Sequence, residues 1–348
     1  MNKNIFINGR MVRSQITGSS RYTLEVSSRI KHQANLLKPP KFARLGKGIL
    51  WEQIFLPFRV GKSKLLWSPA NTGPLAVANQ VITIHDLIPL ETPKWYTSSY
   101  TLWYRFLLPK LAQRAIKIIT DSQYSKGRIK YLFNLPEDLL VVIPCGVGEE
   151  FRAVNNLVKD KVLSKYGINP YYIVSVGTLE PRKNLNRLFQ AWKSISSKLK
   201  QVTLVVIGTE ANSIIDTGIN EIPDSTKLLG YVPDTDLPAL YSGAKALVFP
   251  SLYEGFGLPI LEAMACGTPV IASNATAIPE VVGDAGLLFD PRDIEEIASK
   301  MIQIIQNEEL RLELHHKGLQ RSKQFTWDKT ANQVWEVLVQ SLEETQYD

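Results

Sequence analysis

The segment from Pro250 to Ala263 places two carboxylates around a glycine-rich turn: Glu254 just before Gly255-Phe256-Gly257, and Glu262 about one turn into the helix that follows. Pro259 suits the first turn of a helix, where its missing N–H is not needed. A helix start offers free backbone N–H groups and the positive end of the helix dipole, a natural seat for an anion. Gly255 and Gly257 let the backbone approach such a ligand without an intervening Cβ. Carboxylates flanking a phosphate would repel it, so Glu254 and Glu262 suit the hydroxyl groups of a sugar on either side. The plain alternative is a strand–turn–helix with two solvated glutamates.

A second stretch, Val176-Gly177-Thr178-Leu179-Glu180-Pro181-Arg182-Lys183-Asn184, also follows a strand and precedes a helix. A guanidinium beside an ammonium neutralises a diphosphate well; a solvated basic turn is the plain reading. In the first half, Ile16-Thr17-Gly18-Ser19-Ser20-Arg21-Tyr22 reads as a loop entering a helix, fit to cradle a phosphate or merely to cap the helix. His85-Asp86 stands at the C-terminal end of the strand Val81–Ile84. His315 and His316 fall on a polar helix and His32 at a helix end, so His85 is the histidine expected at a cleft, unless it is a satisfied structural one. Tyr231-Val232 can present backbone groups to a base. Asp234-Thr235-Asp236 spells a pair able to hold a cation, but it directly precedes Leu237-Pro238, and helix capping explains it better. No cysteine or histidine cluster supports a metal site. The spacings of a Walker A loop and of a dinucleotide fingerprint are absent.

Short β-branched runs alternating with helical segments along the chain point to α/β units with parallel sheets. Expected strands are 5–8, 65–68, 81–84, 116–121 and 139–143, then 172–176, 203–207, 227–229, 246–249 and 270–272. Expected helices include 20–31, 97–112, 122–132, 185–195, 237–242 and 258–265, with three more within 294–305, 310–324 and 328–342. The pattern restarts near 147–156, which puts the domain junction there. Two open α/β sheets facing one another would set their strand C-termini, and their ligand sites, at the cleft between them.

At 348 residues, 45% hydrophobic and 21% charged, the chain is an ordinary globular protein of about two domains, not a disordered or collagen-like one. Its apolar runs fall short of the ~20 residues of a membrane span. The opening Met1–Gly9 turns polar too early for a secretory signal, and Cys145 and Cys266 cannot form a disulfide framework, so the expected location is cytoplasmic. The net charge of +7 is uneven: residues 1–150 hold 21 Lys and Arg against 9 Asp and Glu, and residues 1–64 hold 13 against 2. Such a field attracts anionic partners and suits peripheral contact with the inner face of a membrane. The acidic second half argues against nucleic acid. Within the basic region, Gly48–Phe58 is apolar with Lys47, Arg59, Lys62 and Lys64 at its flanks, as in a helix lying on an anionic bilayer. Leu50, Trp51, Ile54 and Phe55 equally have the spacing of a core-packed face.

Taken together, Thr17-Gly18-Ser19, His85-Asp86, Gly177-Thr178 with Arg182-Lys183, and Glu254-Gly-Phe-Gly-Leu-Pro-x-Leu-Glu262 resemble the family-4 retaining glycosyltransferases of the GT-B fold. The match in order and spacing runs from Ile5 to Trp327, with Thr17-Gly18 standing where the family often has two glycines. The resemblance implies a Rossmann-like acceptor-binding domain (1–150), a Rossmann-like nucleotide-sugar domain (151–327) and a C-terminal helix (328–348) packing back on the first. It implies that Arg182 and Lys183 neutralise a diphosphate, Glu262 receives ribose hydroxyls and Glu254 hexose hydroxyls. The amides of Phe256, Gly257 and Leu258 would hold sugar or phosphate, His85 would sit by the hexose, and Gly18 and Ser19 would close over the β-phosphate. Gly177, Thr178, Gly255, Tyr231 and Val232 complete the expected donor contacts. Neither a metal nor another cofactor is implied. The implied activity is hexose transfer from a nucleotide-diphosphate sugar, UDP-glucose ahead of GDP-mannose, to a glycan or lipid-linked acceptor in surface polysaccharide synthesis. A phosphorylase or nucleotide-sugar epimerase of the same architecture, and a non-catalytic binder of anionic ligands, are the alternatives.

Overall fold

The computed structural model describes residues 4–12, 18–40, 48–61, 64–210 and 216–347. Ile16 and Thr17 of the first-half loop, and Lys47 and Lys62 beside the apolar segment, lie outside the described residues. The chain divides into two compact units, one from 1–93, 98–146 and 327–348, the other from 94–97 and 147–326.

In the first unit the strands are β1 (Ile5–Asn8), β2 (Asn35–Leu37), β3 (Leu65–Ser68), β4 (Gln80–Thr83), β5 (Lys117–Thr120) and β6 (Leu140–Val142). They form one sheet in the order β2-β1-β3-β4-β5-β6, each registered pair parallel. β3 and β4 are buried along their whole length, as a parallel sheet covered on both faces requires. The last helix, Trp327–Tyr347, belongs to this unit. It buries Trp327, Ala331, Val334, Leu338 and Leu342 at helical spacing and packs on the helix Gly18–Ile30. The Tyr22 and Trp327 rings meet edge to face, and Thr330 Oγ1 donates to the Pro144 carbonyl at 2.8 Å.

The second unit holds β7 (Tyr172–Val176), β8 (Thr203–Ile207), β9 (Thr226–Gly230), β10 (Leu247–Phe249), β11 (Val270–Ser273) and β12 (Gly286–Phe289) in the order β12-β11-β10-β7-β8-β9, again parallel. From β7 the chain builds outward on one side through β8 and β9, then returns to add β10 on the other. That reversal opens a crevice at the C-terminal ends of β7 and β10, the usual ligand position in an open α/β sheet. The helix Leu185–Ser196 buries Leu185, Leu188, Phe189, Trp192 and Ile195 on one face and packs against the helix Ile294–Gln306.

Three expectations need correction. β2 and β12 are real strands that the pattern did not flag: both are sheet edges, short and only partly buried, so neither shows a continuous apolar run. Of the face Leu50, Trp51, Ile54, Phe55, Trp51 is buried in the core and the other three are exposed. Residues Trp51–Phe55 form a π-helical turn, whose i→i+5 bonding shifts the phase so that Trp51, Glu52, Leu56 and Val60 point inward. Ile49, Leu50, Ile54, Phe55 and Phe58 are exposed. Finally, Asp236 stands at the start of the helix Leu237–Gly243 but does not cap it. Its backbone is in the α region rather than extended, and its carboxylate instead accepts from Lys165 Nζ at 2.6 Å and Tyr166 OH at 2.7 Å.

Candidate active site

The crevice of the second unit is built by two loops fastened to each other. After β7, residues Pro181–Lys183 make a single 3₁₀ turn closed by Asn184 in the left-handed conformation. The Asn184 side chain donates to the carbonyls of Pro250 (3.0 Å) and Pro291 (2.6 Å), and the Leu252 N–H donates to the Arg182 carbonyl at 2.7 Å. These bonds bring the turn after β7 against the loop after β10, and Arg182 and Lys183 against Glu254.

There the charges alternate. Lys183 Nζ donates to Glu254 Oε1 at 2.6 Å, Arg182 reaches Glu254 Oε2 at 2.8 Å, and its other terminal nitrogen reaches Glu180 Oε1 at 2.6 Å. Thr178 Oγ1 also donates to Glu180. Two cations and two carboxylates thus cancel in a nearly buried cluster, and the Lys183 ammonium lies over the Phe249 ring. Burial alone would raise the Glu254 pKa, but Arg182 and Lys183 overcome it and hold it down to about 2. Lys183 also sits below the ordinary lysine range. Burial and the adjacent Arg182 depress it more than Glu254 and Glu180 raise it. Glu254 faces two cations that outweigh its burial, whereas for Lys183 burial and the like charge of Arg182 outweigh the pull of its carboxylates, so both groups sit low.

Gly177 and Gly208 make room for this arrangement. A Cβ on Gly177 would come within 2.9 Å of Lys183 Cε, and one on Gly208 within 1.8 Å of the Gly177 carbonyl oxygen. A small cavity between the ends of β7 and β10 is lined by Ser175, Gly177, Lys183 and Phe249. In the loop after β10, Gly257 takes φ 122° at the start of the helix Leu258–Ala265, a conformation that glycine alone adopts without strain. Gly255 and Phe256 are buried, and the Phe256 ring packs against Phe325. Glu262, also buried, accepts from Tyr241 OH at 3.0 Å. The Glu254 N–H donates to Thr276 Oγ1 at 3.0 Å. Tyr231 is exposed and Val232 buried just after β9.

Gly18, Ser19 and His85 belong to the first unit. Gly18 and Ser19 open a helix rather than lying in the loop before it, and Ser20 is already buried. His85 follows β4, with Nδ1 at 2.7 Å from Asp121 Oδ2 and Nε2 at 3.0 Å from the Pro69 carbonyl. Burial opposes its protonation, yet Asp121 and then Asp86 raise its pKa above the ordinary histidine value. Glu52, fully buried on the π turn, accepts from Asn8, Arg10 and Thr72 at 2.7, 2.8 and 2.6 Å. Among the described residues no group of three or more His, Cys, Asp or Glu could hold a metal ion, and no helix is long and apolar enough to cross a membrane.

Glu180, Asn184, Asp121 and Glu52 are the polar residues that sequence reasoning left out. Asn184 had a local signal, since it directly follows Arg182-Lys183 before a helix. Asp121 and Glu52 had none, because their partners lie 36 and 20 to 44 positions away in the chain.

Residues 158–321 match the family described as glycosyl transferases group 1. The O-antigen chain mannosyltransferase B of Escherichia coli is 35% identical over 269 residues, covering 75% of this chain and 70% of that protein. The chain is a group 1 glycosyltransferase. It therefore belongs to the family-4, GT-B enzymes that its motifs resemble. The matched segment of this glycosyltransferase contains Arg182, Lys183, Glu254 and Glu262. The serotype-specific mannosyltransferase WbdA of E. coli is 32% identical over 80% of this chain, which spans only 35% of WbdA's length. Among solved structures, Anabaena Alr3699/HepE in complex with UDP and glucose superposes with a TM-score of 0.75 at 18% identity, covering 97% of this chain and 99% of that one. WaaG, a glycosyltransferase involved in lipopolysaccharide biosynthesis, gives 0.74 at 14% identity over 96% and 99%. These likenesses identify the fold of the glycosyltransferase as GT-B.

Proposed function

We propose that this glycosyltransferase moves mannose, with retention, from GDP-mannose to a glycan or lipid-linked acceptor in surface polysaccharide synthesis. The observation that carries the reading is the Glu180–Arg182–Glu254–Lys183 cluster at the β7–β10 crevice. The mannosyltransferase relatives move the preference from UDP-glucose to GDP-mannose. In this reading the second unit takes the donor and the first unit the acceptor.

A diphosphate entering the crevice replaces Glu254 as the partner of Arg182 and Lys183. The freed carboxylate then accepts from hexose hydroxyls, so the same residues serve the empty and the loaded site. Glu262 receives the ribose hydroxyls. The amides of Phe256, Gly257 and Leu258, with Gly255, Gly177 and Thr178, hold sugar and phosphate. Tyr231 and Val232 meet the base, and Gly18 and Ser19 meet the β-phosphate. Charge grows on that phosphate as the glycosidic bond breaks, and fixed cations with a helix N-terminus stabilise it. His85 serves the hexose side. No side-chain nucleophile is assigned: as in the family, the acceptor attacks on the face the leaving group departs from, and a phosphate oxygen takes its proton.

The exposed Ile49, Leu50, Ile54, Phe55 and Phe58, in a basic region, support peripheral docking on an anionic bilayer at the cytoplasmic face of the membrane. Thermal-shift screening with GDP, UDP, ADP and their sugars tests the donor assignment. A ligand at 100 times its Kd adds about 2.7 kcal/mol of stability. The expected order is GDP-mannose first, and a shift with UDP-glucose alone would reverse the donor assignment.

A further inference from the structure

Both nitrogens of the His85 ring are engaged by the protein. The Pro69 carbonyl can only accept, so Nε2 at 3.0 Å carries a proton. Nδ1 stands 2.7 Å from Asp121 Oδ2, and a second proton must lie in that contact too, because two lone pairs would repel. No lone pair of the ring is left to accept a proton from a substrate. The backbone is held as well: the His85 N–H donates to Asn71 Oδ1 at 2.6 Å, and its carbonyl accepts from Ser125 Oγ at 3.1 Å.

The groups around the ring set its charge. Asp121, only 3% exposed, faces it from the end of β5, and Asp86 adjoins it in the chain. The Tyr22 ring packs on it at 4.8 Å from the helix Gly18–Ile30. Tyr22 and Cys145 also feel Asp121, but burial pushes both well above their ordinary pKa values, so they stay neutral. Among the described residues the charges that shift His85 are those of the carboxylates Asp121 and Asp86, and they favour the doubly protonated ring.

We propose that Asp121 is a positioning residue of the transfer reaction, holding His85 as a fixed cation that neither takes nor releases a proton during turnover. The proposal rests on the assignment of His85 to the hexose side made above. In that reading the hexose still carries the departing phosphate, and a fixed cation beside it stabilises the negative charge that grows on the phosphate without reorganising, whereas a ring that can deprotonate loses that contribution as pH rises.

The test uses the full chain with ¹⁵N-labelled histidine, of which there are only four residues. In the wild type, His85 keeps both ring protons between about pH 6 and 8, where an ordinary histidine loses one. In Asp121→Asn the second proton is lost within that window. Turnover of GDP-mannose by Asp121→Asn then approaches wild type at low pH and falls on the order of 10²-fold as the ring titrates, with the donor KM little changed. Asp121→Glu keeps the charge, so its activity is expected to be independent of the ring's titration. Three results would overturn the proposal: an Asp121→Asn ring that stays doubly protonated, a rate that ignores the ring's titration, or a titrating profile in Asp121→Glu. A wild type that turns over no donor and gains no stability from GDP-mannose or UDP-glucose would overturn the donor reading. That failure is separable, because the ring spectra report on His85 and Asp121 directly.

Discussion

Lys183 Nζ and Glu254 Oε1, on residues 71 positions apart in the chain, meet at 2.6 Å inside the second unit. The pair is one of the points where the loops after β7 and β10 meet. Keeping two adjacent cations this deeply buried requires a counter-charge. Glu254 supplies it; under the proposed function a diphosphate takes the cations and Glu254 turns to the hexose hydroxyls.

Replacing Lys183 should separate binding charge from fold, whereas replacing Glu254 also removes the counter-charge that two buried cations share and lowers stability. Lys183→Ala leaves Glu254 paired with Arg182, so the protein is expected to stay folded. Transfer should fall by two to three powers of ten, on the order of 3–4 kcal/mol. Glu254→Ala is expected to be equally inactive. Steady-state transfer assays alongside thermal melts check both, and wild-type rates in either variant would refute the roles assigned to the cluster.

Acid should act through Glu254. Its folded pKa of about 2 lies below the ordinary carboxylate value of 4.5, so its stabilising contribution is complete above about pH 4.5. That contribution is lost as pH falls toward 2, because the unfolded chain then binds a proton the folded one refuses. The shift corresponds to about 3 kcal/mol at most. Lys183 works the other way: its depressed folded pKa means its charged form costs stability, a cost relieved only as pH rises. Melting midpoints between about pH 5 and 2.5 should therefore decline less steeply in Glu254→Gln than in wild type. Parallel declines would show that the carboxylate carries no such linkage.

Two glycines predict opposite kinds of damage. In Gly208→Ala the new Cβ meets backbone, the Gly177 carbonyl oxygen, which cannot move without distorting β7, and a loss of about 3 kcal/mol is expected. In Gly177→Ala the new Cβ meets only the flexible Lys183 side chain, but the backbone there has φ 156°, which an L-residue adopts only under strain, so a smaller loss of stability is expected along with displacement of the ammonium. Denaturant melts and the stabilisation by GDP should then separate the two, with Gly177→Ala less destabilised than Gly208→Ala in the first and weakened in the second.

How much of this could be read in advance follows from the distance over which each feature is encoded. The α/β class and most buried strands were legible because a parallel strand is a continuous apolar run, as in Leu65–Ser68 and Thr203–Ile207. Arg182-Lys183 and Glu254-x7-Glu262 were legible because each loop–helix start holds its charged residues within a few positions. What joins those loops was not: Asn184 reaches Pro291 across 107 positions, and Asp121 reaches His85 across 36. Edge strands β2 and β12 escaped because half-buried segments carry little pattern. The π turn at Trp51–Phe55 escaped because a helical wheel at 3.6 residues per turn assigns the wrong side inward.

That misassigned side yields the last prediction. Phe58 is 84% exposed and Phe55 53%, with Ile49, Leu50 and Ile54 also facing outward, in a region where residues 1–64 hold 13 Lys and Arg against 2 Asp and Glu. Side chains that make few contacts within the protein contribute little to its stability, so Phe55→Ser with Phe58→Ser should change folding by no more than about 0.5 kcal/mol. The same change removes apolar area that would enter a bilayer, and it leaves the basic charge in place. Sedimentation with vesicles should show wild-type protein on phosphatidylglycerol-rich membranes and far less on phosphatidylcholine. The double variant should lose most of the first. Added salt should weaken what remains, because that residue of binding is electrostatic. Equal binding of the wild type to neutral and anionic vesicles, or undiminished binding of the variant, would remove this face from contact with the membrane.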